Sequence, residues 1–257
     1  MESRPKVTVD RLLSSVTLLQ IMSTGHGPKA SKLVSATGFF FEHNSRKFLV
    51  TNLHAVISES EDYYPDHLVF QLHTSKPDVR MVRKVSLELY DAIGEPKWLQ
   101  HCNASVDLAA IDITDVLTDN DYFLAWTPDQ LLPINAKLNL GTEVLIVGYP
   151  MEFYDTTNNL PIVRRGTLAS AWGVDFRDHP VCLVEANLQE GSSGSPVIVR
   201  PSNVLGLSIE HLEKGIYQGY VVGVNSGEYS ALSLGLYKIW YGNLILDILS
   251  NKPPADT

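Results

Sequence analysis

Between residues 15 and 225 the chain is a succession of short apolar runs, rich in β-branched and aromatic residues and closed off by turn formers. They read SVTLLQIM (15–22), TGFFFE (37–42), KFLVTN (47–52), HLVFQLH (67–73), VSLELY (85–90) and VDLAAIDI (106–113). TEVLIVGYP (142–150), PIVRRGTLAS (161–170), VCLVEANL (181–188), SPVIV (195–199) and GYVVGVN (219–225) complete the series. Eleven short strands at near-regular spacing argue for an antiparallel sandwich or barrel system and against alternating βα units. His43-Asn44-Ser45-Arg46 reads as a tight hairpin between two of them.

The strand pattern weakens between residues 114 and 141, which divides the chain into two β units. The expected boundaries are 10–118 for the first, 119–140 for a connector and 141–230 for the second. Beyond residue 231 the period changes. Leu236, Trp240, Leu244 and Ile248 recur every four positions with Ile245 and Leu249 beside them, so the spacing predicts an amphipathic helix over 231–251, docked on the second unit. The 257 residues are 44% hydrophobic and 19% charged, ample material for a core of this size.

Charge narrows the function. The formal net charge is −9 and no Lys/Arg-rich run occurs, which argues against a nucleic-acid partner. The opening MESRPKVTVD lacks a basic-then-apolar pattern and no apolar stretch reaches spanning length, so the expectation is a cytoplasmic protein without a membrane partner. Of eight histidines none forms HExxH, and neither Cys102 nor Cys182 has a ligand-spaced partner; no metal and no cofactor is expected. Two cysteines in so long a chain read as buried free thiols, not as a disulfide framework.

Three segments carry the chemistry. In TNLHAV a strand ends and His54 comes next. In VDLAAI Asp107 opens an apolar strand, and in GSSGSP three serines stand between Gly191 and Pro196. Singly each has a bland reading as a structural group or turn. Together, in the order His, Asp, Ser, with gaps of 53 and 86 residues, they resemble the trypsin-like serine protease superfamily, closest in motif to its HtrA-type and glutamyl-endopeptidase-type branches. Thr37-Gly38-Phe39, Val147-Gly148-Tyr149-Pro150 and Val222-Gly223-Val224-Asn225-Ser226 match further family segments, so the resemblance spans about residues 34 to 227. It implies an all-β, chymotrypsin-like fold: two antiparallel six-stranded Greek-key barrels within a single peptidase unit, here with the C-terminal α-helix appended.

The resemblance also implies roles. Ser193, preceding the glycine of the motif, is the nucleophile; Ser195 faces structure. His54 is the base and Asp107 its partner, while Asp112, five residues on, points to the opposite strand face. Backbone N–H groups of Gly191 and Ser193 form the oxyanion hole. Asn225, Ser226 and Gly227 offer backbone to a protein or peptide substrate added as a strand. Asn187 and Leu188 wall the specificity pocket, which without a carboxylate at its base predicts cleavage after uncharged residues such as Leu, Met, Ala or Gln; Glu185 is the one route to a basic preference.

The expectation is that two family control devices are missing from this chain. Ser192 replaces the aspartate that a freed N-terminus pairs with, and no PDZ-like domain comes after the peptidase unit, which leaves control to other means such as a regulatory protein partner. The function expected is a serine endopeptidase. Its rivals are a catalytically silent protease-like module that grips extended peptides, and a lipase or esterase, whose histidine would come last in the chain.

Overall fold

The computed structural model describes residues 10–23, 33–58, 62–76, 78–205, 219–229 and 234–250. The first sheet is built from β1 (Val16–Met22), β2 (Leu33–His43), β3 (Arg46–Thr51), β4 (His67–His73), β5 (Val82–Glu88), β6 (Trp98–Gln100) and β7 (Ala109–Asp112). The second holds β8 (Glu143–Gly148), β9 (Ile162–Leu168), β10 (Val181–Ala186), β11 (Pro196–Val199), β12 (Tyr220–Glu228) and β13 (Leu236–Tyr241). A four-residue helix, α1 (Leu53–Val56), comes after β3, and α2 (Leu244–Ser250) after β13.

All eleven expected strands are present, and the β2–β3 hairpin turns through Asn44 and Ser45 at φ 48° and 62°, the left-handed pair a tight two-residue turn requires. β8 to β13 close into a barrel in the order β10-β13-β12-β11-β8-β9. The first sheet runs β5-β4-β1-β2-β3-β7-β6 and has seven strands, one more than expected. The extra one, β6, is three residues long and buries Trp98. The segment entering it meets the end of β5 through a bridge between Tyr90 and Pro96 and a 2.8 Å bond from Lys97 N–H to the Leu89 carbonyl, so this unit is a nearly closed barrel rather than a sealed one.

In the first sheet β1, β2, β3 and β7 are apolar on both faces because each face is covered. Leu19, Ile21, Phe40 and Leu49 point into the first unit's own core. Leu18, Phe39, Phe41 and Val50 point the other way, into a larger cluster shared with β8 to β13. Period-two alternation thus feeds two cores, and FFF at 39–41 serves both. The functional segments lie along this shared seam.

The C-terminal expectation is corrected. Residues 236–241 form a strand, which pairs with β10 and β12 and completes the barrel. Only 244–250 of the expected helix are helical, and 231–233 and 251 lie outside the described residues. LYKIWY is aromatic and β-branched, and Tyr237, Ile239 and Tyr241 are buried against the barrel interior, a burial that a surface helix would not give them. α2 also reaches the first unit: it packs on β6 and β7, with Leu244, Ile245 and Ile248 buried in the cluster that both units share.

Both cysteines are free, but Cys102 is exposed where a buried thiol was expected. Cys182 is buried, which pushes its thiol up to about 12. Among the described residues no helix is long and apolar enough to cross a membrane.

Candidate active site

The His54–Asp107 pair comes from the first unit. β3 ends at Thr51, and α1 lifts His54 out of the sheet with its side chain 44% exposed. Asp107 lies two residues before β7, which pairs with β3, so the ladder brings the two together. Asp107 Oδ1 accepts the His54 backbone N–H at 2.8 Å, and Oδ2 lies 2.7 Å from His54 Nδ1. The Ser226 hydroxyl donates to the same Oδ2, and the buried Asn52 side chain donates to the Asp107 carbonyl at 2.8 Å. Burial would push the Asp107 carboxyl up. The hydrogen bond and charge of the His54 ring, the Ser226 hydroxyl and the His54 N–H outweigh it and hold the group below the ordinary carboxylate value. Asp107 thus stands as a carboxylate against His54 Nδ1, a contact that orients the ring. Asp112 is on the far side of β7, paired with Arg46.

The serine loop comes from the second unit, just before β11. Four consecutive carbonyls are tied to the protein. Glu190 O accepts from Met151 N–H at 2.6 Å, and Gly191 O from the Thr37 hydroxyl at 2.9 Å. Ser192 O accepts from Asn225 Nδ2 at 2.8 Å, and Ser193 O from Thr37 N–H at 2.9 Å. With the carbonyls held, the N–H groups of Gly191 and Ser193 donate to no acceptor among the described residues. Such a loop presents bare donors to an anion. Gly191 and Gly194 make the geometry possible. Both have positive φ, 83° and 82°, and a Cβ at Gly194 would lie 2.0 Å from Thr37 O and 2.4 Å from Thr51 Oγ1. That contact sets the serine loop against the segment that leads into His54.

The three serines are sorted by burial. Ser192 and Ser195 are buried and Ser193 is partly exposed. No hydrogen bond joins His54 Nε2 to Ser193 Oγ among the described residues; in ligand-free sites such a bond commonly tightens only with substrate present.

Asn225 departs from expectation. Its N–H goes to Ser195 O and its carbonyl accepts from Gly194 N–H, both at 2.9 Å, and its side-chain Nδ2 donates to Ser192 O, so its backbone is not left for a substrate. It holds the serine loop instead. Ser226 and Gly227 fall in a register shift between β12 and β13, off the ladder, with open space around Gly227. Leu188 is also corrected. Its side chain is buried in the core and its backbone is bracketed by Tyr237, which accepts its N–H at 3.1 Å and donates to its carbonyl at 2.8 Å. Asn187 is exposed and receives Gln189 Nε2 at 2.9 Å, while Gln189 in turn accepts from Arg164. Thr37, Tyr237 and the hydroxyl of Ser226 are the contributors that sequence reasoning missed; Thr37 and Ser226 stood in matched segments, whereas Tyr237 carried no signal of its role. Among the described residues no cluster of three or more His, Cys, Asp or Glu could hold a metal.

A closed β-barrel set against a second, nearly closed one, with a His–Asp pair from the first and a glycine-flanked serine loop from the second, defines the chymotrypsin-like fold class. Residues 36–207, well over half of the chain, match the family model described as the trypsin-like peptidase domain, and the chain belongs to that family. Its fold is similar to that of the Rv3671c protease from M. tuberculosis in its active form, at 15% identity and a TM-score of 0.55, covering 95% of this chain and 83% of that one. A serine-to-alanine, inactive form of Rv3671c gives 15% identity and a TM-score of 0.52, with 95% and 91% covered. No curated protein matches the sequence.

Proposed function

We propose that this trypsin-like peptidase is a serine endopeptidase acting through His54, Asp107 and Ser193. The observation that carries the reading is the serine loop. Its four carbonyls from Glu190 to Ser193 are bonded away from the cleft, while two of its N–H groups have no partner among the described residues. A silent binding module has no use for that arrangement. In the mechanism His54 Nε2 takes the Ser193 proton as Oγ attacks the scissile carbonyl, and Asp107 stabilises the imidazolium. The developing oxyanion rests on the Gly191 and Ser193 N–H groups, each worth about 3–4 kcal/mol. His54 then gives its proton to the leaving amine, and water resolves the acyl-enzyme by the same steps in reverse. An extended peptide would pair with Ser226 and Gly227 as an added strand, and the uncharged Asn187 favours Leu, Met, Ala or Gln before the cut.

A fluorophosphonate probe, which needs an activated serine, tests this directly. Wild type and Ser195→Ala should both label. Ser193→Ala should not, and its peptide turnover should fall on the order of 10⁴–10⁶-fold. Labelling that persists in Ser193→Ala would overturn the assignment, and a library digest cut mainly after Arg, Lys or Glu would overturn the specificity.

A further inference from the structure

The reading of Ser193 as nucleophile leaves one flank of the cleft without an occupant. The serine loop is held from two sides. On one, Asn225 of β12 grips Ser192 and Gly194, and the next residue, Ser226, bonds Asp107. On the other, β2 grips it through Thr37, and the connection after β8 grips it through Met151 N–H to Glu190 O. A substrate whose acyl half lies along Ser226 and Gly227 must therefore carry its leaving half out over the Met151 side.

The backbone there is strained. Met151 and Glu152 are both left-handed, with φ of 50° and 53°, an uncommon state for non-glycine residues and a more uncommon one for two in succession. The surroundings enforce it. Phe153 N–H bonds the Pro150 carbonyl at 2.7 Å, the Ser35 hydroxyl of β2 donates to the Glu152 carboxylate, and Tyr149 meets Tyr154 edge-on with ring centroids 5.4 Å apart. Met151 and Phe153 stand 72% and 71% exposed on this connection, which is bonded to the serine loop through Met151 N–H and Glu190 O. Two large apolar side chains held exposed on a strained connection that is bonded to the serine loop offer a binding surface, and methionine adapts to partners of different shape.

We propose that Met151 and Phe153 form a subsite for an apolar side chain on the leaving-group side of the scissile bond, so that selection depends on the residue after the cut as well as on the residue before it. The proposal rests on the serine-peptidase reading above.

Acyl transfer isolates this subsite. The acyl-enzyme is formed from a p-nitrophenyl ester, and amino-acid amides compete with water for it. The amine nitrogen attacks the acyl carbonyl, Ser193 Oγ leaves, and the amine proton passes through His54 to Oγ. The ratio of peptide to acid then reports occupancy of the leaving-group side. Leucine and phenylalanine amides should out-compete aspartate and glycine amides about tenfold, the discrimination expected of one apolar contact. The double variant Met151→Asn/Phe153→Ser, whose asparagine tolerates the left-handed backbone, should bring the preference to about twofold or less. Ile93→Ser, which removes an exposed apolar side chain from the 89–97 connection, should keep the wild-type ratio. An undiminished preference in the double variant, or none in wild type, would overturn the subsite while fluorophosphonate labelling of Ser193 left the peptidase reading standing. Absence of labelling would overturn both.

Discussion

Asp107 meets several demands at once, and its replacement separates them. It accepts the His54 ring, the His54 N–H and the Ser226 hydroxyl at once. Asp107→Asn keeps the volume but sets an amide against Nδ1, which favours the wrong tautomer; kcat/KM should fall by about 10⁴. Asp112→Asn, which loses only a surface pair with Arg46, should leave turnover nearly intact. Stability adds a second readout. Because the folded-state carboxyl of Asp107 lies below its unfolded value, its contribution is fully present above about pH 4 and is lost as pH falls through the folded value. The Tm gap between wild type and Asp107→Asn should accordingly close on acidification. A gap that stays constant down to about pH 2 would show that Asp107 is not held ionised by these partners.

At the scale of strands, β8, β2 and the start of β11 meet without room for a side chain at Gly148. A Cβ at Gly148 would lie 2.2 Å from Ser195 Oγ and 2.7 Å from Thr37 Oγ1, the hydroxyl that accepts Tyr149 N–H and donates to Gly191 O. Gly148→Ala should therefore destabilise the protein and loosen the serine loop. Adding Ser195→Ala removes the closer clash and leaves Cβ at 3.4 Å, so the pair should couple favourably by about 0.5–3 kcal/mol in urea unfolding. Strict additivity would place the strain elsewhere. The strands themselves were largely legible, since alternation and turn residues bound eleven of them. The helical reading of 236–241 failed for a definite reason. A spacing of four is also a multiple of two, so Leu236 and Trp240 share a face in a strand as well as in a helix, and the stripe continued across the turn into the true helix at Leu244. β6 was too short to show any period. The segments that hold His54, Asp107 and Ser193 stood out because the family motifs require one residue type at each place in a fixed order. The role of Thr37 did not, because its carbonyl partner at Gly191 lies 154 residues away and nothing local announces a hydroxyl's tertiary bond.

Over the whole molecule, the site is divided between two units, and the elements that complete it come late. β13 fills the gap between β10 and β12, Tyr237 within it fixes Leu188 just past the end of β10, and α2 then returns to cover β6 and β7. His54, Asp107 and Ser193 have all been synthesised well before residue 236, yet the barrel that holds Ser193 is still open at that point. If these three residues react as proposed, a nascent chain carries them without the frame that aims them, and the order of birth along the chain withholds activity until β13 has emerged. Stalled ribosome complexes offer the check. Chains arrested with residue 235 as the last to emerge should ignore the fluorophosphonate, whereas chains that expose Ser250 should take it up; equal labelling of the two would mean that an open barrel is already armed.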